Sequence, residues 1–167
     1  MKLMSKLLVL CLLAAVLLTG CGAPASPDAS LDYSDLVVPP VDLSIDDCIT
    51  EQQLTTVLGH PMHLLGVYED GVQAVYLSED GGCQVTIHMM NQTRAGFEAQ
   101  VLAATVSLTM QEGLGEVAYW YEGKSQLMLF CAGYALDVAV SCADTTEVET
   151  QTRQIAELIV DKLGEQL

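Results

Sequence analysis

The sequence predicts an α+β domain in which helices pack on an antiparallel sheet. Six strand-like segments fall into two groups of three, and helical segments precede, separate and follow these groups. Single strands do not alternate with helices, which is the pattern that a parallel sheet would require. The order α-βββ-α-βββ-α also suggests a loose internal duplication with an added C-terminal helix.

The first helix is predicted from a capping box. Thr50 stands at the N-cap position and Gln53 three residues later, so each side chain can bond the other's backbone amide. Leu54, Val57 and Leu58 recur at helical spacing and form the expected buried side, and Gly59 ends the helix.

The first group of strands is predicted from short apolar segments joined by turn residues. Asp70-Gly71 and Asp80-Gly81 are the kind of pair that favours hairpin turns. The three predicted strands are His63–Tyr68, Val72–Ser78 and Cys83–Met90.

The second half begins with a helix predicted from apolar spacing at Phe97, Val101, Ala104 and Leu108. Gly113-Leu114-Gly115 then predicts a tight turn into a strand, because glycine adopts backbone conformations closed to other residues. A phosphate-binding loop is the alternative, but neither a Lys-Ser/Thr pair nor a helix follows. The three strands expected here are Val117–Tyr121, Gln126–Cys131 and Tyr134–Cys142.

The C-terminal helix is predicted from a second capping box, with Thr146 as the cap and Glu149 three residues later. Its expected buried positions are Val148, Thr152, Ile155, Ile159 and Leu163.

Residues 1–20 have the features of a lipoprotein signal peptide. Two lysines precede the apolar run Leu7–Leu18, which is shorter than the roughly 20 residues of a membrane-spanning helix. The run ends in Leu18-Thr19-Gly20-Cys21, which resembles the bacterial lipobox. We therefore expect cleavage before Cys21, a lipid (palmitate) on that cysteine, and location on the extracytoplasmic face of the cell membrane.

Two further segments follow from composition. Residues 21–45 hold four of the five prolines and predict a semi-extended tether. Residues 46–167 predict a single disulfide-bonded domain of roughly 120 residues, which is long enough for one core.

The charge of the chain excludes one class of partner. Removal of the signal leaves four basic side chains against 22 acidic ones, a charge of −18. Nucleic acid is therefore not expected as a partner, because phosphate binding requires basic patches. We interpret the acidity as keeping a tethered domain soluble, with recognition of a cationic ligand as the alternative.

Four cysteines remain in the predicted domain: Cys48, Cys83, Cys131 and Cys142. An even number in an exported chain predicts two disulfides. A tight turn at Ala132-Gly133 would set Cys142 roughly 26 Å from Cys131, too far for a bond. Of the remaining pairings we favour Cys48–Cys142 with Cys83–Cys131.

The motif Gly113-Leu114-Gly115-Glu116-Val117-Ala118-Tyr119 gives the chain a resemblance to known proteins. Together with Cys48 and the capped first helix, it is similar to a family of uncharacterised, mainly actinobacterial surface lipoproteins with a Gly-Leu-Gly-acid-x-Ala-Tyr signature. A weaker likeness links it to extracellular sensor domains of bacterial kinases. The family usually has a second-strand cysteine where this chain has Ala74, and it has no established activity.

One side-chain constellation is a candidate metal site. His60, Met62, His63 and His88 lie in two short runs, and imidazole with thioether favours copper. His63 and His88 could approach each other if their strands form one meander. The alternative is that all four are structural, since methionine is a common core filler.

No enzyme motif is present in the sequence. Tyr119 and Tyr121, on either side of Trp120, are expected to be packing residues, with a binding face as the alternative. We therefore expect no catalytic residues and no cofactor, and a membrane-anchored binding or sensing module for an extracellular ligand or envelope protein. A copper-binding envelope protein and an envelope hydrolase without a recognisable motif are the alternatives.

Overall fold

The computed structural model describes residues 43–104 and 106–165. The predicted signal peptide, the lipidation site Cys21 and most of the predicted tether lie outside these residues. Three α-helices are present in the described part: α1 Glu51–Leu58, α2 Arg94–Ala103 and α3 Val148–Gly164. Seven strands are present: β1 Met62–Tyr68, β2 Gln73–Ser78, β3 Cys83–Asn91, β4 Thr109–Gln111, β5 Val117–Tyr121, β6 Gln126–Cys131 and β7 Tyr134–Cys142.

All seven strands form one antiparallel sheet in the order β1-β2-β3-β7-β6-β5-β4, which confirms the predicted α+β class. Two three-stranded meanders, β1-β2-β3 and β5-β6-β7, meet through the pairing of β3 with β7. Each meander has a short 3-10 turn between its first two strands, Glu69–Gly71 and Glu122–Lys124. This approximate two-fold arrangement agrees with the expected duplication.

The main core lies on one face of the sheet, which we call face A. Alternating strand residues such as Val85, Leu129 and Val138 meet Leu54 of α1 and Ile155 of α3 there. All five predicted buried positions of α3 are buried. The packed chain already includes Ile45, one residue before the predicted start of the domain, because this side chain is fully buried in the main core.

A smaller core lies on the opposite face, face B, beneath α2. Phe97 and Val101 of this helix pack on Met128, Phe130 and Ala135 of β6 and β7. Helix α2 therefore covers one end of face B, while no described helix packs over the β1-β2-β3 meander on that side.

The capping box of α1 is confirmed. The Thr50 Oγ1 atom accepts from the Gln53 backbone amide at 3.2 Å, and the Gln53 Oε1 atom accepts from the Thr50 amide at 2.9 Å. The helix ends at Gly59, whose φ of 73° lies in the left-handed region. Local chemistry sets both ends of this helix, so the sequence alone predicts them correctly.

Helix α1 also closes the free edge of β1. The outward amide of Met62 donates to Thr55 Oγ1 at 3.0 Å, and that of Leu64 donates to Glu51 Oε1 at 2.7 Å. Two backbone donors that a sheet edge would leave to solvent are therefore paired with helix side chains.

Three expectations about elements are wrong. Helix α2 ends at Ala103 rather than extending to Leu108, and the short strand β4 was not expected. The Thr146 side chain donates to Asp144 Oδ1 at 2.7 Å instead of capping α3, which begins at Val148 with no side-chain cap. The Asx-type contact within the loop competes with the helix cap for the threonine.

The predicted disulfide pairing is also wrong, and the described residues contain one disulfide instead of the expected two. Cys83 and Cys142 are bonded, and their Cα atoms stand 4.0 Å apart at one end of the β3–β7 ladder. Cys131 faces Tyr134 at the other end of β7, as expected from the tight turn. The same eight-residue span that separates Cys131 from Cys142, roughly 26 Å, therefore also separates it from Cys83.

Cys48 and Cys131 are free thiols. Burial, reinforced by the charge of Asp47, raises the pKa of Cys48 to about 11, so this thiol stays protonated. Burial, followed by the charge of Glu116, raises the pKa of Cys131 as well. The charge of Lys162 acts in the opposite direction on Cys48 but does not cancel these effects, so neither thiol has the lowered pKa of a reactive cysteine.

Candidate functional site

The predicted metal ligands are not brought together. Met62 is only 1% exposed and belongs to the main core. His63 pairs with Leu77 of β2, whereas His88 pairs with Gln73 of the same strand from its other side. The expectation that the two histidines approach each other is wrong, since four residues of β2, about 13 Å, separate their positions along the sheet.

His63 has carboxylate neighbours of its own. Its Nδ1 atom lies 3.6 Å from Glu51 Oε2, and its Nε2 atom lies 3.2 Å from Glu79 Oε1. The two carboxylates sit on opposite ring nitrogens, so they bracket the imidazole instead of converging on one point. In the described part of the chain, no group of three or more His, Cys, Asp and Glu side chains is placed to hold a metal ion.

His60 lines a cavity of about 440 Å³ beside the disulfide. Asp80 and Asp144 line the same cavity, but each already holds a turn. Asp80 accepts from Ser78 at 2.6 Å and from the Gly82 amide at 3.0 Å, and Asp144 accepts from the amide and hydroxyl of Thr146. These hydrogen bonds lower the pKa of both carboxyls, as expected of ionised turn-capping groups.

The Gly-Leu-Gly-acid signature has a structural role at the start of β5. Gly115 has a φ of 57°, and a Cβ atom there would lie 2.8 Å from the Phe130 carbonyl oxygen. Glu116 donates its amide to that carbonyl at 2.9 Å, and its Oε1 atom accepts from the Ala132 amide at 3.2 Å. Leu114 is buried between the two glycines. The motif thus fastens β5 and the β6–β7 turn, and a strand, not a helix, follows it.

A group of polar side chains lies on face B, beside the smaller core that α2 covers. Two adjacent cross-strand rows pass through it: Gln73 pairs with His88 and His88 with Asp137, while Thr86 pairs with Ala139 and Ala139 with Gln126. All the side chains are half-buried. We call the following set the polar patch: Gln73, Thr86, His88, Gln126 and Asp137.

Asp137 is the central group of the polar patch. Burial raises the pKa of its carboxyl, because the neighbouring strands exclude water from the charged form. His88, a hydrogen bond from Gln126 and the charge of Lys124 act in the opposite direction but do not cancel the effect. The fold therefore holds, on the central strand β7, a carboxylate whose loss of solvation is only partly offset by its neighbours.

A tyrosine stands at each end of the patch. Tyr68 pairs with Gln73 and is 46% exposed, and Tyr121 pairs with Gln126 and is half-buried. Each is the last residue of the first strand of its meander, directly before a 3-10 turn. Lys124 places its Nζ atom 5.9 Å from the centroid of the Tyr121 ring.

Sequence reasoning missed most of this patch. Of its members only His88 was a candidate, and it was assigned to a different cluster. A signal was nevertheless present, because Asp137 is the one charged residue of β7, in a strand that otherwise contains apolar and small side chains. The aromatic residues of β5 alternate between the two faces: Trp120 lies in the main core, whereas Tyr119 packs on Phe97 with ring centroids 6.4 Å apart.

The comparisons with known proteins give no further assignment: no protein-family model, no curated protein and no solved structure matches the chain. Among the described residues, no helix is long and apolar enough to cross a membrane.

Proposed function

We propose that the chain is a lipid-anchored, non-catalytic binding module on the extracytoplasmic face of the cell membrane. It is attached through Cys21 and recognises an extracellular ligand or an envelope protein. The lipobox, the proline-rich tether and the acidic domain support the anchored arrangement. The resemblance to surface lipoproteins of actinobacteria agrees with it and remains part of the proposal.

The polar patch is the single observation that carries the binding role. A polar outer face is ordinary for an antiparallel sheet, but such faces normally leave their charges well solvated. Asp137 instead lies half-buried on a central strand with a raised pKa, which lowers the stability of the domain at neutral pH. Unfavourable groups of this kind cluster at functional sites.

Binding is favoured over catalysis by the shape of this face. The patch lies on the open surface of the sheet, where no described helix covers it and its side chains are only half-buried. Active sites gain much of their electrostatic strength by enclosing the reacting groups away from water, and this open face does not enclose a substrate.

The anchor is tested by expressing the full chain in a bacterial host and measuring its partition into detergent phase. We expect the parent chain to be membrane-bound and Cys21→Ser to be released. Cys11→Ser is the matched control, because it removes a thiol from the predicted signal without touching the lipobox. Equal partition of the parent and Cys21→Ser would refute the anchor.

The binding role is tested by photocrosslinking in intact cells. A photoreactive amino acid replaces Gln84, which is exposed on face B beside the patch, or Gln154, which is exposed on α3. We expect adducts from position 84 and none from position 154. Equal labelling from both glutamines, or none from either, would contradict a binding site on face B.

A further inference from the structure

We infer that the polar patch recognises the ammonium group of a lysine side chain in an extracytoplasmic peptide, with Asp137 as its ion-pair partner. This inference rests on the proposed binding function and names the chemistry of the ligand. The sequence alone gives only a general acidity, whereas the structure singles out one carboxylate and its surroundings.

The first argument is charge. Asp137 lies opposite His88 on β3 and Met128 on β6. It accepts a hydrogen bond from Gln126, and the charge of Lys124 from the adjoining turn also acts on it. A cation brought against this carboxylate would replace the solvation that burial removes. The acidic domain also raises the local concentration of cationic partners, with four basic side chains against 22 acidic ones after the predicted cleavage.

The second argument is that the protein already places an ammonium group at the edge of this patch. The Nζ atom of Lys124 lies over the Tyr121 ring, and its charge acts on Asp137. An aromatic face and a carboxylate together form a known environment for an ammonium group. A ligand lysine would take the same surroundings, and Lys124 would compete with it.

The third argument concerns the size of the ligand. Tyr68 on β1 and Tyr121 on β5 stand at opposite ends of the patch, five strand spacings apart, or about 24 Å. A free amine on such an open face would bury little of its surface. An extended peptide can contact both tyrosines and also the side-chain amides of Gln73 and Gln126 between them. The face therefore favours a peptide as the source of the ammonium group.

The test is an NMR titration of the ¹⁵N-labelled mature chain, residues 21–167 with Cys21→Ser. The probe is the seven-residue peptide acetyl-Ser-Ser-Ser-Lys-Ser-Ser-Ser-amide, which is about 24 Å long when extended, and its Nε-acetylated form is the uncharged counterpart. We expect shifts centred on β3 and β7 with the first peptide only. Binding of the acetylated peptide with equal affinity, or shifts confined to other elements, would overturn the inference.

Two pairs of variants make the test specific. Asp137→Asn should weaken binding about tenfold, while Asp161→Asn, which removes the same charge from an exposed position on α3, should leave it unchanged. Lys124→Gln should strengthen binding severalfold by removing the internal competitor, and Tyr121→Leu should weaken it about fivefold. Equal losses in the two aspartate variants would show general attraction and would overturn the site.

A free diamine separates the two sources of the ammonium group. We expect cadaverine to bind more weakly than the peptide, and tighter binding of cadaverine would refute the peptide as ligand. Labelling from position 84 in cells, together with absent peptide binding, would refute this inference alone. Absence of both would refute the proposed binding function as well.

Discussion

Removing the Cys83–Cys142 disulfide should lower the stability of the domain, and the same experiment tests which cysteines are bonded. The bond closes a loop with a sequence separation of 59 residues. Loop-closure entropy gives about 4 kcal/mol for a constraint of that length. This is a large part of the roughly 5–15 kcal/mol that stabilises an ordinary domain. Replacing both cysteines by alanine should therefore lower the free energy of unfolding by up to this amount.

The assay is urea unfolding of the mature chain with Cys21→Ser, followed by circular dichroism. With a slope of about 2 kcal/mol per molar urea, the midpoint of Cys83→Ala/Cys142→Ala should fall by about 2 M. Cys131→Ala is the matched control, because it removes a half-buried sulfur that forms no bond. Adding a reductant should lower the midpoint of the parent chain but not that of the double variant.

Counting thiols in the denatured, unreduced chain tests the pairing independently. The structure predicts two reactive thiols, from Cys48 and Cys131. The pairing of Cys48 with Cys142 and of Cys83 with Cys131 predicts none. A count of zero, or a reductant that leaves the midpoint of the parent chain unmoved, would refute the argument.

Three further predictions concern single residues. Gly115→Ala should destabilise the domain by about 3 kcal/mol in urea unfolding, and Gly113→Ala by about 1 kcal/mol. Both glycines have positive φ, but only at Gly115 would the added Cβ atom meet a carbonyl oxygen. Equal losses in the two variants would refute this close approach. Asp137→Asn should stabilise the fold at pH 7, because folding raises the pKa of this carboxyl. The gain in the free energy of unfolding should shrink as the pH falls toward the unfolded pKa of about 4. A gain that does not change with pH would contradict this prediction. Thr50→Ala should cost about 1 kcal/mol, and an unchanged midpoint would show that the cap contributes nothing.

Features set by neighbours along the chain were predictable. The Thr50 cap, the Gly59 stop and the facing of Cys131 and Tyr134 depend on a few consecutive residues, and all three are confirmed. Helix α2 was placed correctly but extended too far, because Leu108 continues the apolar spacing after Ala104 has left the helix. Strand β4 has only three residues, which is too short for an alternating pattern, so periodicity could not detect it although Gly113-Leu114-Gly115 marks the turn after it.

Features that depend on strand order were not predictable. The disulfide follows from β3 lying beside β7, which brings together cysteines from the two meanders. The same neighbourhood places His88 opposite Asp137, so the error in the disulfide and the omission of the patch have one cause. Turn residues determine how strands pair within each meander. They give no information on which strand of one meander pairs with which strand of the other.

The side chains that close the edge of β1 have a consequence for self-assembly. Thr55 and Glu51 belong to a helix of eight residues, so the amides of Met62 and Leu64 stay paired only while that helix is docked. Local opening of a short helix requires less free energy than global unfolding, and it would offer the strand as a template to another chain. The rate of strand-mediated aggregation should therefore follow the undocking of α1, long before the sheet itself melts.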